Sequence, residues 1–378
     1  MRLRLMLALA LAAVMGFAGV TASAAPEPIL IGAVLSISGP SAPLGVPQKN
    51  SLELAETDIN AHGGIAGRPV HFEVVDDEAK PDVAAQLAQE LIGKGAVAII
   101  CGTRTATSAA VVRVTTGANV LQVFLTPSTE LWKTKSGVTK TVFQVAATAE
   151  NEAKAEVAFV KDTLKAKTIA MLHDENEYGV GASNATATAA AAVGLTVVAN
   201  ESYPGVATDF TPQILRIKAG KPDVVMLIGA TNTPALATVQ LRTLGVTVPV
   251  VGTSAVLNPA FLRVVGTADL GLYADTNFNF TYPDAVAKVY IAEYTRAYHA
   301  PAVLFGAFVY DTAYLLKKAI EKSGGKMDGA SLATALETMG AYHGTSGVYR
   351  YSADDHNGLA PSDVHIAQAH KGVWFTLK

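Results

Sequence analysis

From residue 29 onward, short β-branched runs alternate with longer stretches of helical spacing, and no other feature restricts the fold so strongly. Ile29–Leu35 predicts a first strand. The Gly-, Pro- and Ser-rich segment 36–47 reads as a loop. The helix after it carries Leu52, Ala55 and Ile59 on one face until Gly63-Gly64 ends it. Val70, Phe72 and Val74 alternate as a second strand, and Pro81 opens a helix with Val83, Leu87 and Leu91 aligned. Segment 97–101 predicts a third strand, 105–117 a helix and 121–125 a fourth strand. Such alternation calls for parallel strands with helices on both faces.

The pattern restarts after residue 148. A helix carries Val157, Val160 and Leu164, 168–172 is a strand, and an Ala-rich helix covers 181–193. Further strands are expected over 195–199, 223–228 and 248–251, with helices carrying Ile214/Ile217 and Leu236/Leu241 between them. Three helical stretches follow, 284–298, 305–323 and 329–339, and then two strand-like segments, 364–369 and 373–377. Two α/β units of similar size mean an α/β protein of two doubly wound, parallel-sheet lobes. No low-complexity linker separates them, which fits a chain that crosses between lobes more than once.

The first residues indicate a destination. Arg2 and Arg4 precede an apolar run over 5–20, and Ala22-Ser23-Ala24 follows. That order predicts a signal peptide over 1–24, cleaved near Ala24. The run is short for a spanning helix, and no cysteine follows it to carry a lipid anchor. The expected product is soluble and periplasmic, and the remaining length of about 350 residues allows two domains. Lys+Arg number 29 and Asp+Glu 32, without a basic block, so the chain lacks the electrostatic footprint of a nucleic-acid binder. Cys101 is the only cysteine, which excludes an intrachain disulfide, and it ends a buried-strand pattern as a core thiol would.

In an open α/β sheet the ligand crevice lies beyond the carboxyl ends of the strands. The informative segments are therefore 36–45, 102–107, 126–130, 173–179, 229–232 and 252–254, which are rich in Gly, Ser and Thr. Their backbone N–H groups and hydroxyls at helix N-termini suit an anion such as a carboxylate. Ordinary capping explains each segment singly. Their convergence in an exported two-lobed chain is what points to a ligand.

Ile31-Gly32 to Gly39-Pro40, the block Asp58-Ile59-Asn60-Ala61-His62-Gly63-Gly64-Ile65-Ala66-Gly67-Arg68-Pro69-Val70, and Val75-Asp76-Asp77-Glu78 carry a resemblance. So do Leu125-Thr126-Pro127-Ser128-Thr129, His173-Asp174 to Tyr178-Gly179, Asp209-Phe210 and Tyr310-Asp311-Thr312-Ala313, in the same order. Together they resemble the branched-chain amino-acid (Leu/Ile/Val) class of ABC-transporter periplasmic solute-binding proteins, over nearly all of the mature chain. The resemblance implies a type I periplasmic-binding fold, its lobes joined by a three-segment hinge. Lobe one is then expected over 26–147 and 278–355, and lobe two over 148–277 and 356–378. It also implies a monomer that closes on a small ligand and delivers it to the transmembrane subunits of an ABC permease. An exported sensor of the same fold, signalling to a receptor, is the second reading.

Carried over position by position, the resemblance implies a carboxylate-binding hydroxyl at Thr105 or Thr107 and a Ser/Thr pair at Ser128 and Thr129. Tyr178 and Thr231 would face them from lobe two, with wall residues at Leu44 and Phe305. Leu44 stands where the class has an aromatic wall. A second departure matters more. The class places an acid, to pair the ligand ammonium, in the loop after strand 248–251, where this chain has Ser254. A desolvated ammonium without a charged partner costs several kcal/mol. Arg104 stands ready for a bidentate bond to a carboxylate. These residues tilt the expected ligand towards an organic acid, with an amino acid or amide next, unless Glu130 or another acid substitutes.

No enzyme constellation is present in the sequence. Gly179-Val180-Gly181 lacks the third glycine of a dinucleotide loop, and Gly252-Thr253-Ser254-Ala255-Val256 lacks the last glycine of a nucleophile elbow. The eight histidines are scattered. Asp354-Asp355-His356 reads as a solvated turn rather than a metal site. Neither metal nor cofactor is expected.

Overall fold

The computed structural model describes residues 26–230 and 233–378. The leader expected at 1–24 and Thr231 lie outside the described residues. The amino-terminal half holds β1 (Ile29–Leu35), α1 (Ala42–Ala61), β2 (Val70–Asp76), α2 (Pro81–Gly93), β3 (Ala98–Cys101), α3 (Thr105–Ala118) and β4 (Leu121–Phe124). A small hairpin, β5 (Lys133–Thr134) and β6 (Gly137–Val138), leads into β7 (Val142–Gln144). Of these, five strands form a parallel sheet in the order β2-β1-β3-β4-β7.

The second sheet grows from α4 (Ala149–Asp162), β8 (Thr168–Asp174), α5 (Glu177–Val193), β9 (Thr196–Tyr203), α6 (Thr211–Gly220), β10 (Val224–Ile228) and α7 (Thr233–Thr243). β11 (Val250–Gly252), α8 (Pro259–Val265) and β12 (Leu272–Thr276) complete its parallel part. The chain then forms α9 (Ala285–Tyr298), α10 (Leu304–Lys322) and α11 (Gly329–Glu337), with α10 along α1 and α11 against β4 of the first sheet. A hairpin, β13 (Tyr342–His343) and β14 (Val348–Tyr349), precedes the return to the second sheet. There β15 (His365–His370) pairs antiparallel with β12 and β16 (Val373–Thr376) with β15, giving the order β16-β15-β12-β11-β10-β8-β9. The fold is thus a type I periplasmic-binding architecture: two α/β sheets, with the chain passing between them three times.

Several elements differ from the sequence expectation. α1 opens at Ala42, inside the segment read as a loop, because Pro43 sits in its first turn, where no N–H is needed. Gly45 lets that turn lie against β1's end, since a Cβ there would meet the Ser36 carbonyl oxygen at 2.0 Å. α5 begins at Glu177 rather than 181, capped by the Asn176 side chain, which accepts the Gly179 N–H at 2.9 Å. The Asp354–His356 turn is solvated only in part. Its His356 ring is fully buried, stacked 3.8 Å from the Phe143 ring, with Nδ1 2.8 Å from the Val142 carbonyl. The Gln144 N–H in turn bonds the His356 carbonyl, so the last crossing comes a few residues after the expected boundary at 356.

Candidate functional site

The carboxyl ends of the two sheets face one another across a cavity of about 580 Å³, including its open mouth. From the first sheet's side come Leu44 on α1, Thr103 to Ala106 after β3, Leu125 to Pro127 after β4, Ala146 after β7, and Phe305 and Phe308 on α10. From the second come Asn176 to Tyr178 at the start of α5, Ala230 after β10, and Ser254 and Ala255 after β11. Leu44, Ala230, Ala255 and Phe305 also touch as a small apolar cluster joined by Tyr178, so the two sheets already meet through side chains here.

One wall is built for an anion. Arg104 is the extended residue before α3, and its side chain makes no cap. The first N–H groups of a helix have no acceptor within it, and the helix dipole makes that end positive. Thr103 is occupied: its hydroxyl donates to Gln48 Oε1 at 2.6 Å and accepts the Ser36 N–H at 2.9 Å. Thr105 is free in the described residues, its hydroxyl buried without a partner. Arg104 forms no ion pair among them. Its charge acts on Asp174 across the cleft, whose carboxyl is raised by burial and drawn back by the Ala230 N–H and by Arg104.

Behind the opposite wall lies a buried acid carried by α4. Ser254 Oγ donates to Glu152 Oε1 at 3.0 Å, and both residues are buried. Glu152 comes from the first turn of α4, set by the Thr148 cap, whose hydroxyl accepts the Asn151 N–H at 3.1 Å. Burial, then the neighbouring Asp275, pushes the Glu152 carboxyl up, while the Ser254 bond pulls it down. The Tyr178 hydroxyl is buried nearby and pushed up by burial and by Glu152.

Of the residues named from sequence, Leu44, Arg104, Thr105, Tyr178, Ser254 and Phe305 line the cavity. Thr107 does not: it is fully buried behind the wall, its hydroxyl donating to the Arg104 carbonyl at 3.0 Å. Ser128 Oγ donates to Glu130 at 3.1 Å, away from the cavity. Thr129 reaches across to α4 instead, its hydroxyl donating to Glu150 at 2.9 Å. Neither residue lines the cavity. Glu130 itself is exposed, lines a separate surface hollow and does not line this cavity. Glu152 was missed because its partner lies 102 positions away in the chain. The Glu150-Asn151-Glu152 turn reads in sequence as an ordinary acidic helix start.

Comparisons with known proteins agree with this architecture. The family model described as periplasmic binding protein matches residues 28–372. A Leu/Ile/Val-binding protein of Rhizobium johnstonii is 29% identical over 82% of this chain and 83% of its own. A leucine-, isoleucine-, valine-, threonine- and alanine-binding protein of Pseudomonas aeruginosa is 25% identical over 86% of this chain and 85% of its own. A type 1 periplasmic binding protein from Bordetella pertussis superposes with a TM-score of 0.85 at 24% identity, covering 93% of this chain and all of that one. The substrate-binding protein of a branched-chain amino acid transporter from Streptococcus pneumoniae, solved with isoleucine, gives 0.82 at 22% identity, covering 93% of this chain and 99% of that one.

Proposed function

The chain belongs to the periplasmic binding protein family, whose members are solute-binding proteins rather than enzymes, and from that premise we propose that it binds a neutral α-amino acid for an ABC importer in the periplasm. One observation carries the reading. A single cavity has an unsatisfied helix N-terminus with Arg104 and Thr105 on one wall and Ser254, backed by Glu152, on the other. An α-carboxylate suits the first wall and an α-ammonium the second. Leu44, Phe305 and Phe308 leave an apolar surface for an aliphatic side chain. Glu152 thus reverses the tilt towards an organic acid that Ser254 alone suggested. Relatives named for leucine, isoleucine and valine binding support the same ligand class.

The chemistry is binding, not reaction. The two walls belong to different lobes, so a ligand gains its full set of contacts only when both close on it. It therefore shifts the open–closed population by that difference in affinity. The three crossings between sheets serve as the hinge, and the closed form is the one presented to the permease.

A thermal-shift screen of the mature chain tests this, with amino acids, aliphatic and aromatic carboxylates, amides and sugars as the panel. Ligand at about 1,000 times its dissociation constant adds about 4.1 kcal/mol. For about 350 residues unfolding together, that raises Tm by roughly 5 °C. Hits among neutral α-amino acids, weakened about 10- to 100-fold by Arg104→Ala, are expected. Hits confined to carboxylates without an amino group, or to sugars, would refute the amino-acid reading.

A further inference from the structure

Ser254 is the visible edge of a larger group. Behind Glu152 stand Glu156, one turn further along α4, and Asp275, near the end of β12. The three acids are 2%, 1% and 0% exposed. Among the described residues no Lys, Arg or His pairs with any of them. Among the described residues Glu152 Oε2 and Glu156 Oε1 find no donor, and the Asp275 carboxyl has only the backbone N–H groups of Ser254 and of Asp275 itself beside it. A carboxylate only accepts hydrogen bonds, so these facing oxygens are satisfied only if protons sit between them. Three ionised carboxylates cannot share so small a dry space. The three do not converge into a metal-holding arrangement among the described residues.

Among the described residues the surroundings supply no other counter-charge. Tyr178 faces the group from α5, Asp275 from β12, and Glu150 adds a like charge from α4 itself. On β15 and the turn before it, His365 and Asp363 act on each other. Burial raises all three carboxyls, Asp275 to about 7, and the two glutamates are pushed up further by the other acids. The outlet towards the cavity is Ser254. With its hydroxyl hydrogen directed at Glu152 Oε1, its oxygen presents lone pairs to whatever fills the space beside it.

We propose that Glu152, acting through Ser254, is the specificity-determining acid for the ligand's ammonium group, and that the ammonium's arrival expels about one proton from the Glu152–Glu156–Asp275 group. This rests on the amino-acid reading above. The free protein holds the cluster largely protonated. A cation beside Ser254 favours the ionised form and takes the place of the displaced proton's charge. The chain therefore discriminates for the amino group without carrying a standing buried charge in its empty state.

The test is calorimetric titration of L-leucine and of 4-methylpentanoate, the same molecule without its amino group, at pH 7 in two buffers of unlike ionisation enthalpy. Leucine is expected to release about one proton and the deaminated acid none. Glu152→Gln should abolish the release and weaken leucine about 10- to 100-fold, and Ser254→Ala should do the same should the first variant fold poorly. Leucine binding without proton exchange, or unchanged in both variants, overturns the proposal. So does 4-methylpentanoate binding as tightly as leucine, which leaves the solute-binding role standing. No amine-bearing solute bound in the panel overturns both readings. A further arm needs no ligand: the infrared spectrum of the free protein should show a protonated-carboxyl band that Glu152→Gln diminishes. Its absence from the wild type also overturns the proposal.

Discussion

Replacing Glu156 with glutamine should stabilise the protein, and the gain should grow with pH. Glu156 is buried against Asp275 and Glu152 with no cation, and its carboxyl is raised first by burial and then by those acids. In the unfolded chain a glutamate titrates near 4.3. A group whose folded pKa lies above that value keeps its contribution at low pH and loses it as pH rises towards the folded value. Each pH unit above the unfolded pKa over which the glutamate stays protonated therefore costs about 1.4 kcal/mol. The amide of Glu156→Gln carries no such cost, and its N–H can donate to Asp275 in place of the carboxyl proton. Spread over about 350 residues unfolding together, about 1.4 kcal/mol is a Tm difference of roughly 2 °C for each such pH unit. The assay is differential scanning calorimetry of both proteins at pH 5 and pH 8, without ligand. The variant should nearly match the wild type at pH 5 and exceed it by several degrees at pH 8. A difference that is equal at the two pH values, or a variant less stable at pH 8, would refute the account of the cluster as a store of raised carboxyls.

Thr129→Val removes the hydrogen bond from the first lobe to Glu150 on α4, a contact made across the cleft. Ligand dissociation, followed by stopped-flow fluorescence, should quicken about 2- to 10-fold with association little changed. Asp311→Ala strips the acceptor from the Thr345 and Ser346 N–H groups, at 2.6 and 3.0 Å, and from the Tyr349 hydroxyl at 3.0 Å. Three buried donors left open should cost at least about 3 kcal/mol in urea unfolding. The Cys101 thiol is fully buried and pushed far up by burial, so it should resist a thiol-specific reagent in the folded protein and react on denaturation.

Where sequence reasoning succeeded, the signal was local. β1, β2 and the helix at Pro81 each announce themselves through periodicity within their own residues, and the structure keeps them. Where it failed, the deciding partner was distant or the element too short to show a period. β7 is three residues long, and β12 carries a buried Asp in place of a clean apolar run. Neither can be told from a loop until a neighbouring strand supplies its hydrogen bonds. The same logic separates the two ends of the candidate site. Arg104 and Thr105 follow a strand and open a helix, so their chemistry is written in consecutive residues. At the other end Ser254 looks like a loss in sequence, while a buried acid on another element bonds its hydroxyl. A buried acid need only reach the same point in space, and α4 reaches it from the far side of the lobe through one hydroxyl. Reading charge from a loop alone therefore misjudges what that loop can bind. On the reading proposed above, ligand charge preference is a property of the Ser254–Glu152 pair, which neither residue declares by itself.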